Sequence, residues 1–256
     1  MENKNHLTVA MAVLGLSIIL ATLVGGLAFY KVKSAEGNVL SVTGSAEQVV
    51  NSDTVKWTSS FSRNVGQAEL KDGSQQIAAD LKTIIAFFKQ SGVADNEITV
   101  NPVTITSLCE SQSNVIYDKS GNQTCSGNKI SGYSLQQSII VESSKVVEVT
   151  ALAQKSSDYL IAAGLMFSTQ YLEYYYNKLA DLRLELLTRA TENAKERAQR
   201  IAQSTGAQIN FLQSASTGVF QVTSKNSVDI SDYGVYDNSS MEKKVTAVVK
   251  ASFSLK

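Results

Sequence analysis

Ala190-Thr-Glu-Asn-Ala-Lys-Glu-Arg-Ala-Gln-Arg-Ile-Ala202 is the stretch on which the reading of this chain turns. Extended back to Lys178 and on to Thr205, it carries Leu179, Leu182, Leu186, Ala190, Ala194, Ala198 and Ala202 about four apart, which places them on one helical face. Gly206 follows as the stop. A stripe that changes from leucine to alanine lets the helix backbone lie closer to a sheet than leucine would allow. Arg189, Glu192, Lys195, Glu196, Arg197 and Arg200 cover the other faces.

Strand signals stand on both sides of that helix. Val39-Leu-Ser-Val-Thr-Gly-Ser-Ala-Glu-Gln-Val-Val50 and Thr54-Val-Lys-Trp-Thr-Ser-Ser-Phe-Ser62 are rich in β-branched and aromatic residues, with the turn Asn51-Ser-Asp53 between them. Leu70, Ile77, Leu81, Ile84 and Phe88 then predict a helix, with Gly92 as its C-terminal cap. Ile98 to Thr106 reads as a strand whose Pro102 restricts it to an edge or a bulge, because proline has no N–H for a ladder. Gly132–Val141 predicts a strand, Lys145–Ser156 a helix and Gly164–Tyr176 another strand. Gln208–Val222 and Val245–Leu255 predict two more, joined by a polar loop from Thr223 to Lys243. Strand pairs punctuated by helices imply an α+β fold, a mostly antiparallel sheet with helices packed on it. No Pro-rich or Gly/Ser-rich break interrupts residues 38–256, which read as one domain.

The N-terminus has another character. Leu7 to Tyr30 runs 24 residues without a charge, between Lys4 and the pair Lys31 and Lys33. About 20 apolar residues cross a ~30 Å hydrocarbon layer, whereas a cleavable signal has an apolar stretch of ~7–15 residues ended by a small-x-small site. The nearest such site, after Ala35, has Lys33 where a small residue is wanted. Residues 1–30 are therefore expected to be one uncleaved transmembrane helix and membrane anchor, and residues 31–37 a linker. Flanking positive charges nearly balance, so they do not orient it.

Composition excludes several functions. The chain has 23 Lys+Arg against 23 Asp+Glu, and removing Glu2 and Lys4 with the anchor leaves 22 of each. A neutral domain lacks the cationic footprint that nucleic acids require, so none is expected as a partner. The single histidine, His6, precedes the anchor, which removes histidine-based acid–base catalysis from the domain. No phosphate-cradling or dinucleotide-binding glycine pattern follows a strand, and no zinc spacing appears. Glu47, Asp53, Asp95, Glu97 and many serines remain, but no spacing pairs them, and Asp53 reads as a turn residue. The expectation is a protein that is not an enzyme, with no catalytic, cofactor-binding or metal-ligating residue and no cofactor.

Two features carry more information. Cys109 and Cys125 bracket a polar, turn-rich stretch and have no other partner in the chain. A loop disulfide is the simple reading, two unrelated thiols the other. A disulfide would contribute about 3 kcal/mol and point to an oxidising compartment. The cluster Tyr171, Tyr174, Tyr175 and Tyr176 lies on a strand, with alternation sending Tyr171 and Tyr175 to one face and Leu172, Tyr174 and Tyr176 to the other. One face can be core and the other an interface for self-association or a partner, against ordinary core and sheet-surface packing for all four.

Val39-Leu-Ser-Val-Thr-Gly-Ser-Ala-Glu47 followed by Asp53, then Ser91-Gly-Val-Ala-Asp-Asn-Glu-Ile-Thr99, Ile130-Ser-Gly-Tyr133 and the alanine-striped helix ending in Thr205-Gly206 resemble, in that order, the SIMPL domain family of bacterial envelope proteins. The resemblance covers residues 38–256. It implies a periplasmic or envelope-exposed α+β domain in homo-oligomers that can form ring-like or channel-like assemblies, without an established catalytic activity or cofactor. Some members are described as protecting against oxidative stress, others only as immunogenic antigens. The cysteine-bracketed loop and the uncleaved anchor depart from the common pattern. With the anchor, the resemblance places the protein in the inner membrane, single-pass, with its C-terminal domain in the periplasm.

Two functions follow as expectations. The first is non-catalytic homo-oligomeric assembly or scaffolding, the chain being its own partner through sheet edges and the tyrosine strand. The second is a ligand-binding or oxidative-stress-protective module working beside the Cys109–Cys125 loop, since binding residues favour loops on rigid scaffolds.

Overall fold

The computed structural model describes residues 11, 14–27, 29, 30, 38–117, 119, 121 and 123–256. Its strands are β1 (Val39–Asn51), β2 (Thr54–Gly66), β3 (Ile98–Val100), β4 (Thr104–Cys109), β5 (Val115–Tyr117), β6 (Gln123–Cys125), β7 (Ile130–Ser143), β8 (Met166–Tyr175), β9 (Ile209–Thr217), β10 (Gln221–Ser224), β11 (Val235–Tyr236) and β12 (Glu242–Leu255). The helices α1 (Leu70–Gln90), α2 (Val146–Ala162) and α3 (Leu179–Ser204) interrupt them. The fold is α+β, and β2, β3, β4, β7 and β8 pair antiparallel throughout. Within the span 38–256 that the sequence presents as one domain, the contacts gather into two compact units.

The unit formed by Gln48–Leu182 and Gln221–Val245 holds a sheet in the order β3-β7-β2-β8, with β4 also on β7. Strict alternation on its central strands sends Val55, Trp57 and Phe61 of β2 and Leu135, Ile139 and Val141 of β7 to one face. There they meet Ile77, Ile84 and Phe88 of α1 and Val149, Leu152 and Leu160 of α2. The indole of Trp57 is fully buried, 4.8 Å from the ring of Phe88, and its N–H donates to Thr169 Oγ1 at 3.3 Å. A bidentate pair ties sheet to helix: Arg63 donates to both carboxylate oxygens of Asp80 at 2.6 and 2.8 Å. Val93 N–H returns to the carbonyl of Phe88, and Gly92, at φ 93°, closes α1 as the sequence predicts.

The second unit gathers Arg183–Phe220 and Thr246–Lys256 with the described residues up to Glu47. Leu186, Ala190, Ala194, Ala198 and Ala202 are all buried along α3. Ala194 and Ala198 pack with Val42 of β1 and with Ala251 and Phe253 of β12. The approach is closest at Gly44, where a Cβ would stand 2.2 Å from the carbonyl oxygen of Ala190 and 2.4 Å from the amide nitrogen of Ala194. Arg197 donates to the carbonyl of Thr43 at 3.0 Å and the side-chain oxygen of Asn193 accepts the N–H of Ser45 at 3.2 Å, so polar bonds flank the contact.

Several elements differ from their sequence reading, among them the short strands β5, β6 and β11, which form within stretches read as loops. Helix α2 continues past Ser156 to Ala162, because Ser156 faces inward with its hydroxyl on the carbonyl of Leu152, and Leu160 beyond it is buried. The span Ile98–Thr106 is cut at Asn101–Val103, where Pro102 sits, into two short edge strands that both pair with β7. The span Gln208–Val222 divides into β9 and β10.

Residues 14–27 are helical, and their large apolar side chains are exposed on every side. Among the described residues no helix is long and apolar enough to cross a membrane. The rest of the span expected from the sequence, residues 7–10, 12, 13 and 28, lies outside the described residues, as does the linker 31–37.

Candidate functional site

Three features of the Gln48–Leu182 and Gln221–Val245 unit answer to the residues singled out in the sequence: the tyrosine strand, the loop that meets it, and the cysteine hairpin. On the tyrosine strand a bulge decides the outcome. The pairing of β8 with β2 runs Thr58 to Tyr171 and Ser59 to Thr169, which leaves Gln170 as an extra residue and resets the alternation. Leu172 and Tyr174 consequently turn into the core. Tyr174 is buried, its hydroxyl 3.2 Å from that of Thr150.

The expectation of an aromatic interface is therefore corrected at Tyr174, which is a core residue. Tyr175 and Tyr176 are half-buried. Burial and the neighbouring Glu173 carboxylate push the Tyr175 phenol above its ordinary range, against a hydrogen bond from Asn238. Its carbonyl accepts the N–H of Asp53, and the Asp53 carboxylate in turn accepts the N–H of Asn177 at 3.1 Å, so Asp53 is the turn residue its sequence context predicts. Only Tyr171 of the four stands clear, at 65% exposure.

The loop that meets this strand is more highly built than a polar linker. Asn238 donates to the Glu173 carboxylate at 2.6 Å and its carbonyl accepts the N–H of Tyr174 at 2.8 Å. Behind it lies a charge with no access to water: Lys243 is 0% exposed, and its ammonium donates to the carbonyls of Asp237 and Ser240. Burial pushes the Lys243 amine down, and the Asp237 carboxylate partly offsets that. For Asp237, burial acts upward, yet the hydroxyls of Ser240 and Ser239, the Ser239 N–H and the Lys243 ammonium together hold the carboxyl down at about 2. The Ser240 hydroxyl donates to Asp237 and the Lys243 protons point at carbonyls, so the trio is a structural knot that fixes the loop and lacks the Ser-to-Lys contact nucleophilic chemistry needs.

From this knot the loop projects a tip. Gln221 donates to the carbonyl of Ser231 at 2.7 Å and Lys244 to that of Ser227 at 2.8 Å, which holds the intervening chain. On it Val228, Ile230 and Tyr233 are 88%, 85% and 97% exposed. Reading the whole of Thr223–Lys243 as polar passed over these three. The signal was present as apolar residues set singly among Ser, Asp and Asn. In the other unit, edge strand β9 pairs with β12 along one side and leaves Phe211 and Leu212 exposed.

Cys109 and Cys125 are joined, with Cα atoms 5.5 Å apart. Cys109 ends edge strand β4 where its register with β7 shifts, and Cys125 ends the hairpin β5–β6. Gln123 donates to the carbonyl of Ser107 at 3.4 Å, so the bridge and this bond hold the hairpin beside β4. Among the described residues no group of three or more His, Cys, Asp or Glu gathers as a metal ion would need.

No curated protein matches the chain. Residues 40–253, which span β1 to β12 and take in both Gly44 and the alanine face of α3, match the family model SIMPL, described as a protein of unknown function (DUF541), and the chain belongs to that family.

Proposed function

We propose that this chain is a membrane-anchored protein of the bacterial envelope, single-pass in the inner membrane with its C-terminal domain in the periplasm, that acts without catalysis by assembling with copies of itself. The observation that carries the reading is the loop tip, where Val228, Ile230 and Tyr233 are held out in water by a hydrogen-bonded base. Fully burying one such side chain is worth about 1.5–3 kcal/mol, so three on an ordered loop form a ready contact for another protein surface. Exposed Phe211 and Leu212 on edge strand β9 add a second apolar surface.

The anchor rests on the 24-residue uncharged run from Leu7 to Tyr30, since a helix apolar on all sides needs an apolar medium around it. The Cys109–Cys125 bridge fits an oxidising compartment.

Sedimentation of the full chain in lipid nanodiscs or mild detergent at tens of micromolar tests the assembly. The wild type is expected as a multimer and the variant Val228→Ser/Ile230→Ser/Tyr233→Ser as a monomer or a smaller species. A monomeric wild type, or a variant that assembles unchanged, overturns the reading.

A further inference from the structure

The face of the β3-β7-β2-β8 sheet opposite its apolar core holds a groove of about 460 Å³, lined by Asn101, Pro102, Thr104, Gln136, Ser138 and Gln170. Two irregularities in the strands make it. At one side Pro102 breaks the edge between β3 and β4, while the N–H of Asn101 still donates to the carbonyl of Ser138 on β7 at 3.0 Å. At the other the β8 bulge adds Gln170 and puts it into the groove wall next to exposed Tyr171. Between these walls Gln136 and Ser138 of β7 line the groove, and Ser60 of β2 lies opposite Ser138 in register and 3.3 Å from Ser168 of β8.

Its chemistry is uniform. None of the six lining residues is charged, and five of the six carry an amide or hydroxyl. Asn101 is committed to Ser138 through a 2.8 Å bond, whereas the side chains of Gln136, Gln170 and Thr104 have no hydrogen-bond partner among the described residues. Free amides each offer two donors and an acceptor oxygen, the complement of neighbouring hydroxyls that donate and accept at once. The charged residues of the same face, Lys56 in register with Glu142 and Glu173, stand four positions along β2 from Ser60. The volume lies within the range of small-ligand sites.

We infer that this groove binds a neutral, polyhydroxylated chain, a segment of uncharged glycan, with Gln136 and Gln170 pairing to its hydroxyls and the Tyr171 ring packing on a sugar face. An anionic or cationic ligand finds no counter-charge there, and an apolar one would leave the amides unpaired at a cost of about 1–3 kcal/mol for each group buried. The inference is independent of self-assembly, because it uses neither the loop tip nor β9.

The test is calorimetric titration of the full chain in nanodiscs, free of sugar-headed detergent, with chitotetraose, maltotetraose and acidic tetragalacturonate as probes. At least one neutral tetrasaccharide is expected to bind saturably and at least tenfold more tightly than the acidic one. Gln136→Ala/Gln170→Ala should weaken it tenfold or more, and Tyr171→Ala several-fold, with the thermal midpoint within about a degree of wild type because these side chains are exposed. No saturable binding of either neutral probe at 10 mM, tighter binding of the acidic probe, or equal affinity in the double amide variant overturns the proposal.

Discussion

Gly44→Ala probes the contact on which the second unit rests. The added Cβ would stand 2.2 Å from Ala190 O, 2.4 Å from Ala194 N and 2.7 Å from Ala194 Cβ. Real Cβ contacts essentially never fall below 3.0 Å, so strand and helix must separate by about 0.8 Å at this point. A gap of 0.5–1 Å forfeits a quarter to a half of a dispersion contact. The buried side chains that share the seam, Val42, Ala190, Ala194, Ala198 and Phe253, represent about 6 kcal/mol of burial, so the separation costs about 1.5–3 kcal/mol. For a domain of this size each kcal/mol lowers the thermal midpoint by about 2–4 °C, and the expected fall is about 3–12 °C in a melt of the full chain followed at 222 nm. Two companions sharpen the result. Gly218→Ala places its Cβ 3.6 Å from Val248, an ordinary contact, and should leave the midpoint nearly unchanged. Adding Ala194→Gly to Gly44→Ala should not restore stability, because the tightest clashes are with backbone atoms. A Gly44→Ala protein within about 0.5 kcal/mol of wild type, or one rescued by Ala194→Gly, would refute the seating of α3 on β1.

Other outcomes follow from the same geometry. Asp237 has an ordinary carboxyl value of 3.8 and is held at about 2 in the fold, so its contribution, about 1–2 kcal/mol after solvent screening, is intact above pH 4 and lost as pH falls toward 2. Urea midpoints from pH 6 to 2 should show a shallower acid slope in Asp237→Asn, and an identical slope would remove Asp237 from the acid response. Lys243→Met keeps the stem but leaves the carbonyls of Asp237 and Ser240 without their donor, a loss of about 2 kcal/mol. Amide exchange over residues 227–240 should rise in that variant while β2 and β7 stay protected. Cys109→Ser/Cys125→Ser should cost about 3 kcal/mol by freeing the chain between them, with exchange increasing in β5 and β6. Unchanged exchange there would mean that the hairpin is held by other contacts. Trp57→Ala, which empties a fully buried site against Phe88 and Phe167, should cost about 3–5 kcal/mol in urea unfolding.

Much of the fold was legible because periodicity is local. The alternation of Val55, Trp57 and Phe61, the 7-4-3-4 spacing from Leu70 to Phe88, and Gly92 and Gly206 as stops are all set by side-chain direction and backbone sterics within a few residues. The alanine face of α3 likewise announced a close neighbour, and the chemistry ruled out by a domain without histidine could be counted directly. Which partner fills that seam could not be read, because Gly44 and Ala190 are far apart in the chain and only the folded register brings them together. The β8 bulge is of the same kind: one unpaired residue, Gln170, sends Tyr174 inward, leaves Tyr171 outside and builds one wall of the groove. Ser156 stops no helix once its hydroxyl finds the carbonyl of Leu152. Lys243, written in the sequence like any surface lysine, is buried because the carbonyls of Asp237 and Ser240 fold around it. Local spacing thus determined which elements form and which faces are apolar, whereas strand register and loop closure, which depend on residues distant in sequence, decided where the polar groups converge.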